Sequence, residues 1–360
     1  MNTNLSKDER LSGLKKIGFV VIAALMFSSA HAAEQTDSPN DVTKPVVVSA
    51  FNYVEAKTAI QFDKYLALAK GEVNSIAHRR SLVGVEAKSS KRLNRDTLYS
   101  VAIVDISKGA TLVLPDTGNR YMSAQVVNEH GFTNNVMHGA GKHSLSVDEF
   151  DTPFVWVLIR TLASESIPGD MQAAHALQDK VGLISRSQRD YSHAPYDPAS
   201  FERITKLLVE LGAGITSNSG AAGKKGEVDP IMQLITTAYG FGTLPETESF
   251  LVNVHPNLPA DQAYTLNVKD VPVDGFWSLA VYNADGYYEK NQYGRYGVND
   301  RTAKRNDDGS VTIHFGGDAT SDNHVPIVEG WNYVVRLYRP REEILDGTWT
   351  FPGVRKVSDI

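Results

Sequence analysis

Apolar and polar residues alternate with period two along Val271–Asn283 (VPVDGFWSLAVYN). In an extended backbone Trp277, Leu279 and Val281 point one way, and Phe276, Ser278, Ala280 and Tyr282 the other. Both sides carry large apolar groups, so this segment is predicted to be a strand covered on both faces. Trp331–Tyr338 (WNYVVRLY) repeats the pattern: Trp331, Tyr333, Val335 and Leu337 oppose Asn332, Arg336 and Tyr338. Strand-like runs also fall at Thr97–Ile106, Ala110–Leu114, Arg120–Val127 and Pro153–Leu162, and later at Phe250–Val254, Tyr264–Val268 and Ser310–Phe315. Turn residues separate them, at Ser107-Lys108-Gly109, Pro115-Asp116-Thr117-Gly118, Val273-Asp274-Gly275 and Asp307-Asp308-Gly309. Strands about 10 residues apart with short turns point to antiparallel sandwiches.

A helical period appears in three places. Over Asn52–Ala69, Val54, Thr58, Phe62, Tyr65, Leu66 and Ala69 share a face, and Gly71 ends the run. Asp170 is placed to cap a short helix over Met171–Val181. Asp197-Pro198 and Asp229-Pro230 are start signals for two more, carrying Phe201, Ile204, Leu207, Leu208 and Leu211, then Ile231, Leu234, Ile235 and Ala238. The expected architecture is mostly β. Two antiparallel β-sandwiches occupy residues 45–165 and 246–355, with a helical connecting region over residues 166–245.

Composition narrows the class. Hydrophobic content of 42% with 22% charged residues is that of a globular chain. The net charge of -6 argues against nucleic acid, whose phosphates need a basic face. There are no cysteines, which removes disulfides, thiolate metal ligands and a cysteine nucleophile. The first residues read as a signal peptide over 1–33. Lys7, Arg10, Lys15 and Lys16 precede the apolar run Ile17–Phe27, and Ala30-His31-Ala32 fits a small-residue cleavage site. The alternative is an uncleaved anchor, but the run is shorter than the ~20 residues a spanning helix needs. The expectation is a periplasmic or secreted protein with no membrane span after cleavage.

Two sets of residues carry a resemblance. Asn94–Ser100 (NRDTLYS) and Asn119-Arg120-Tyr121 resemble the bacterial family called domain of unknown function 1254. Val271–Gly286, Phe315-Gly316-Gly317, Gly330–Arg341 (GWNYVVRLYRPR) and Glu343–Gly347 resemble the family of unknown function 1214. The resemblance covers nearly all of the chain after residue 33. It implies two β-sandwiches, the second jelly-roll-like, and no established activity. Glu86–Arg92 (EAKSSKR) is more basic and polar than the family pattern, and Tyr293–Asp300 (YGRYGVND) also departs from it. If those loops line a pocket, the ligand differs from that of relatives.

Candidate chemistry falls in three clusters. Asn94, Arg95, Asp96, Thr97 and Tyr99 stand at the start of a strand. There Arg95 beside Asp96 can clamp a carboxylate or polarise a carbonyl, or the two can serve turn and ion-pair roles. His130, His138 and His143 lie near Glu129, but their spacing is neither H-x-H nor H-E-x-x-H, so no metal site is assigned. Tyr282, Asn283, Asp285, Tyr287, Tyr288, Asn291, Tyr293 and Tyr296 form an aromatic and amide loop, a mixture that suits sugars or aromatic ligands. Arg336 is either a structural ion-pair partner or a ligand clamp. Nucleophile elbows, P-loops and dinucleotide fingerprints are missing, and no cofactor is assigned.

Three functions stand at this point. The first is a binding protein for a glycan or small polar-aromatic molecule, held between the sandwiches by Asn94, Tyr99, Tyr282, Asn283, Tyr288, Asn291, Tyr293 and Arg336. The second is a hydrolase or lyase using Arg95, Asp96 and His130, with or without the help of a metal. The third is a structural envelope protein, since jelly rolls form homo-oligomers.

Overall fold

The computed structural model describes residues 44–215 and 217–357. The segment read from the sequence as a signal peptide, residues 1–33, lies outside these residues. Pro45–Ile360 forms a single compact unit, and its first half begins with α1 (Tyr53–Leu68). Then follow β1 (Ala77–His78), β2 (Thr97–Asp105), β3 (Ala110–Leu114), β4 (Met122–Asn128), β5 (Thr133–Met137), β6 (Gly141–Leu145), α2 (Val147–Phe150) and β7 (Phe154–Leu162). Five strands pair antiparallel in the order β1-β2-β7-β4-β5. Alternation decides what each face of that sheet meets. Ala102, Val104, Val155, Val157 and Ile159 turn to one core, shared with Ala110, Leu112 and Leu114 of β3. Val101, Ile103, Trp156 and Leu158 turn the other way and meet Phe62, Tyr65 and Leu66 of α1.

The chain then runs through α3 (Asp170–Gln178), β8 (Gly182–Ser185), α4 (Pro198–Leu211) and α5 (Pro230–Tyr239). β8 pairs with β3, giving a three-stranded sheet β6-β3-β8, so the first half reaches past Ser166. Helices α4 and α5 start as their Asp-Pro pairs predict. Asp197 accepts from the Ser200 amide at 2.8 Å, and Asp229 from Ile231 at 2.8 Å and Met232 at 3.0 Å. The third cap differs: Asp170 stands inside the first turn of α3, after Gly169 in a left-handed conformation (φ 77). Its carboxylate is taken by arginines and by the Ser164 amide.

The second half comprises β9 (Ser249–Val254), β10 (Tyr264–Val268), β11 (Trp277–Tyr282), β12 (Gly297–Asn299), β13 (Val311–Phe315), β14 (His324–Val325), β15 (Asn332–Tyr338), α6 (Glu342–Leu345) and β16 (Arg355–Lys356). Two four-stranded sheets form, β14-β13-β10-β16 and β12-β11-β15-β9. One core joins them: Tyr264, Leu266, Ile313 and Phe315 from the first, with Trp277, Leu279, Val281, Tyr333, Val335 and Leu337 from the second. The protein is thus mostly β, with several antiparallel sheets. All six residues of β11 and all seven of β15 are buried, as expected of strands covered on both faces.

Candidate functional site

The outer face of the β11–β15 sheet is covered by the first half. After β1 the chain leaves its own sheet, crosses to the second half over residues 79–96, and returns as β2. Val85 and Leu93 of this crossing loop pack on Ala280, Tyr282, Tyr288 and Val334. Its polar groups are matched one by one. The Arg92 amide donates to Gly286 O at 2.7 Å. Leu93 O accepts from Tyr282 OH at 2.9 Å and Tyr288 OH at 2.7 Å. Arg336 donates to Arg92 O at 2.7 Å and to Tyr282 OH at 3.0 Å. Asn94 Nδ2 reaches Thr97 Oγ1, Tyr99 OH and Tyr338 OH at 3.2, 3.1 and 3.3 Å. Lys88 from the basic part of the loop sits 4.1 Å from the centre of the Tyr287 ring.

Charge in this seam is unbalanced in an informative way. Arg336 is 6% exposed and, among the described residues, it makes no ion pair and its Nη1 has no hydrogen-bond partner. Burial opposes its charge, but the oxygens of Tyr282, Tyr288 and Tyr338, with Asp96, hold its pKa above the ordinary arginine value. Burial pushes the Tyr288 and Tyr338 hydroxyls well up, so they stay protonated.

A cleft of about 380 Å³ opens beside the seam. One wall carries Leu82, Arg95 and Asp96, and a second carries Ala163–Ser166. The opposite wall is Tyr288, the run from Gly294 to Asn299, then Thr302, Lys304, Asn323 and His324. Arg95 spans the junction, donating to Val83 O and to Glu165 at 2.9 Å, with its guanidinium 5.7 Å from the Tyr296 ring centre. Asp96 accepts from Asn299 Nδ2 at 3.2 Å. Gly297 permits the wall to form, because a Cβ there would lie 2.2 Å from Leu279 O. Behind the second wall, Asp170 binds Arg120 at 2.6 Å and Arg301 at 2.9 Å, tying both halves and α3 together. Although Asp170 is buried, those arginines and the Ser164 amide hold its carboxyl below the usual range.

His324 is the least expected member. It is 3% exposed, lines the cleft, and its Nδ1 has no hydrogen-bond partner. Burial, with Arg295 and His314 nearby, lowers its pKa, so the imidazole is neutral. The Tyr293 ring stands edge-on to it at 5.6 Å.

The residues singled out from the sequence separate into three groups. Arg95, Asp96, Tyr288 and Tyr296 line the cleft. Asn94, Tyr99, Tyr282 and Arg336 form the buried seam behind it. The others do not line it. His130 is paired with Glu55 of α1 at 2.9 Å, so it does not join Arg95 and Asp96. Asn283 and Asn291 fold their own loop, accepting from the Tyr287 amide at 3.0 Å and the Tyr293 amide at 3.1 Å. His138 binds Glu248 at 2.7 Å and His143 faces Gly139 O at 3.2 Å, so the three histidines have three different partners. Glu165, Asn299 and His324 were missed. None belongs to a recognisable motif in the sequence, and only the fold brings them together. The departing loop Tyr293–Asp300 does supply cleft residues, whereas Glu86–Arg92 does not.

Residues 73–146 match the family described as "Protein of unknown function (DUF1254)", and residues 255–342 match "Protein of unknown function (DUF1214)". The two matches fall in that order along the chain. The DUF1254 segment supplies Leu82, Arg95 and Asp96 to the cleft, and the DUF1214 segment supplies the wall from Tyr288 to His324. Ser164, Glu165 and Asp170 fall between the two segments. The VPA0106 protein from Vibrio parahaemolyticus shares the fold, with a TM-score of 0.65 at 17% identity over 86% of this chain and 98% of its own. A putative uncharacterized protein from Burkholderia cenocepacia gives 0.50 at 16% identity over 86% and 89%. No curated protein matches the chain. Among the described residues no helix is long and apolar enough to cross a membrane.

Proposed function

We propose that this is an exported protein that binds a small polar molecule of sugar type in the cleft between the DUF1254 and DUF1214 segments. Export rests on the charged, apolar and small-residue succession over residues 1–33. Binding rests on one observation above the others: a neutral, buried His324 whose Nδ1 no protein group satisfies, in the wall of a cleft that also presents Asp96, Glu165 and Asn299. A buried polar atom without a partner is costly, and a wall that keeps one beside a polar cleft marks a functional site more than simple packing. Carboxylates and a neutral imidazole accept from hydroxyls, an amide donates and accepts, and the Tyr296 ring offers a face to apolar ligand edges. A second reading, a hydrolase or lyase, is supported by the same histidine sharing the cleft with two carboxylates, a set that can move protons.

The test is a thermal-shift and calorimetric screen of neutral sugars, acidic sugars and aromatic acids. A ligand at 100 times its dissociation constant should add about 2.7 kcal/mol of stability. Asp96→Asn and Tyr296→Ala should each weaken binding about tenfold. Absence of any ligand-induced shift, or a shift that both variants keep, would refute the cleft reading. Turnover of the bound compound, abolished by His324→Gln, would decide for the enzyme.

A further inference from the structure

A second groove, of about 490 Å³, lies on the far strand of the five-stranded sheet. Its floor is β5, which pairs with β4 on one side only. Along the other side, the Thr133 amide donates to Gly223 O at 2.9 Å. Beyond that bond, among the described residues, no hydrogen bond outside the β4 ladder reaches the backbone of Asn134–Val136. Loops hold the groove open at both ends, with Gly220–Glu227 at one and Pro245–Glu248 at the other.

The rim is strongly acidic. Glu149, Glu227, Glu246 and Glu248 line it against Lys224 alone. Among the described residues, the only ion pair made by these four is that of Glu248 with His138. Glu149 takes the Asn135 amide nitrogen at 2.7 Å, which leaves its charge uncompensated. A separate sign comes from Asn134. It lines the groove, is 9% exposed, and donates to Glu149 O at 2.9 Å, but its Oδ1 has no partner.

We infer that this groove takes an extended, basic peptide segment that adds to β5 as a further strand. An open strand edge offers main-chain donors and acceptors in the repeat a peptide backbone matches. Alternation then sorts the guest's side chains: basic residues turn to the glutamates, and apolar ones to Val136 and Pro245. The volume suits about four residues.

A fluorescein-labelled hexapeptide of alternating Lys and Val tests this on the full chain, by anisotropy and by hydrogen exchange. The expected result is saturable binding, weakened at least tenfold by E227Q with E246Q and by raised salt, with slowed exchange at Asn134–Val136. The substituted carboxylates are at the surface and leave the fold intact, which a melting curve verifies. Equal binding of a Glu-Val hexapeptide, unchanged affinity in the double variant, or no binding at all overturns the proposal. Binding without protection of β5, or with spermine displacing the peptide at equal affinity, also overturns it, in favour of a small polycation site.

Discussion

The two faces of the β12-β11-β15-β9 sheet come from alternate residues of the same strands, yet they behave as two materials. The inner face, with Trp277, Leu279, Val281, Val335 and Leu337, packs into a hydrophobic core with Tyr264, Leu266, Ile313 and Phe315. The outer face places Tyr282, Asn332, Arg336 and Tyr338 beside the first half, where most polar groups find specific partners and Ser278 Oγ and Arg336 Nη1 find none among the described residues. An apolar face tolerates small shifts because dispersion and water exclusion have little direction. A hydrogen-bonded face does not, so it fixes the position of the crossing loop and, with it, Arg95 and Asp96. The inner face supplies stability, and the outer face supplies the geometry of the cleft.

The strongest way to break that contrast is Leu337→Ala. It deletes a fully buried side chain and should cost about 2–5 kcal/mol in denaturant titration, while ligand affinity of the folded protein stays unchanged. Tyr282→Phe, on the other face, removes a hydroxyl that serves Leu93 O and Arg336. It should cost only about 1–3 kcal/mol but weaken cleft binding, as the loop carrying Arg95 loosens. Similar stability losses with no difference in binding would mean that the two faces do the same work.

The smallest effect concerns the end of the sheet. Asp300 follows β12, and its Oδ1 has no partner. Burial pushes its carboxyl up to about 6, against the pull of Arg305 and Arg301. A raised carboxyl pKa means the folded state resists ionisation. Stability is therefore greatest below the ordinary carboxylate range, near pH 4, and falls as pH rises to about 6. Asp300→Asn should leave the melting temperature unchanged at pH 4 and raise stability by about 1 kcal/mol at pH 7.5, its partial exposure limiting the gain. A variant that melts alike to the parent at both pH values would show that the carboxyl ionises freely.

What the sequence made legible follows from this same contrast. Period two reads directly from Phe276–Tyr282 and Trp331–Tyr338, because the core imposes it residue by residue. It fails for β5 (TNNVM) and β6 (GKHSL), which are polar edge or surface strands with little core to impose a pattern. The seam residues were visible as dense clusters around Asn94 and Tyr282. Glu165, Asn299 and His324 were not, since they reach the site through contacts distant in sequence, 70 residues for Glu165 with Arg95 and 203 for Asn299 with Asp96, which leave no local trace. Asn291 and Tyr293 drew attention through composition, but their polar groups are spent on folding their own loop.

The crossing loop also bears on how the two families came to share one chain. A strand face sealed by a neighbour's main chain cannot be exchanged as a free-standing module. Were the DUF1214 segment made alone, Arg336, Tyr282 and Tyr338 would meet water across a bare sheet, and the fragment would be prone to clump. Conversely, a nick in the helical stretch between the halves would leave the two pieces clasped, as in a protein reconstituted from fragments. The fused order is thus a structural dependency, with one half acting as the fixed lid of the other.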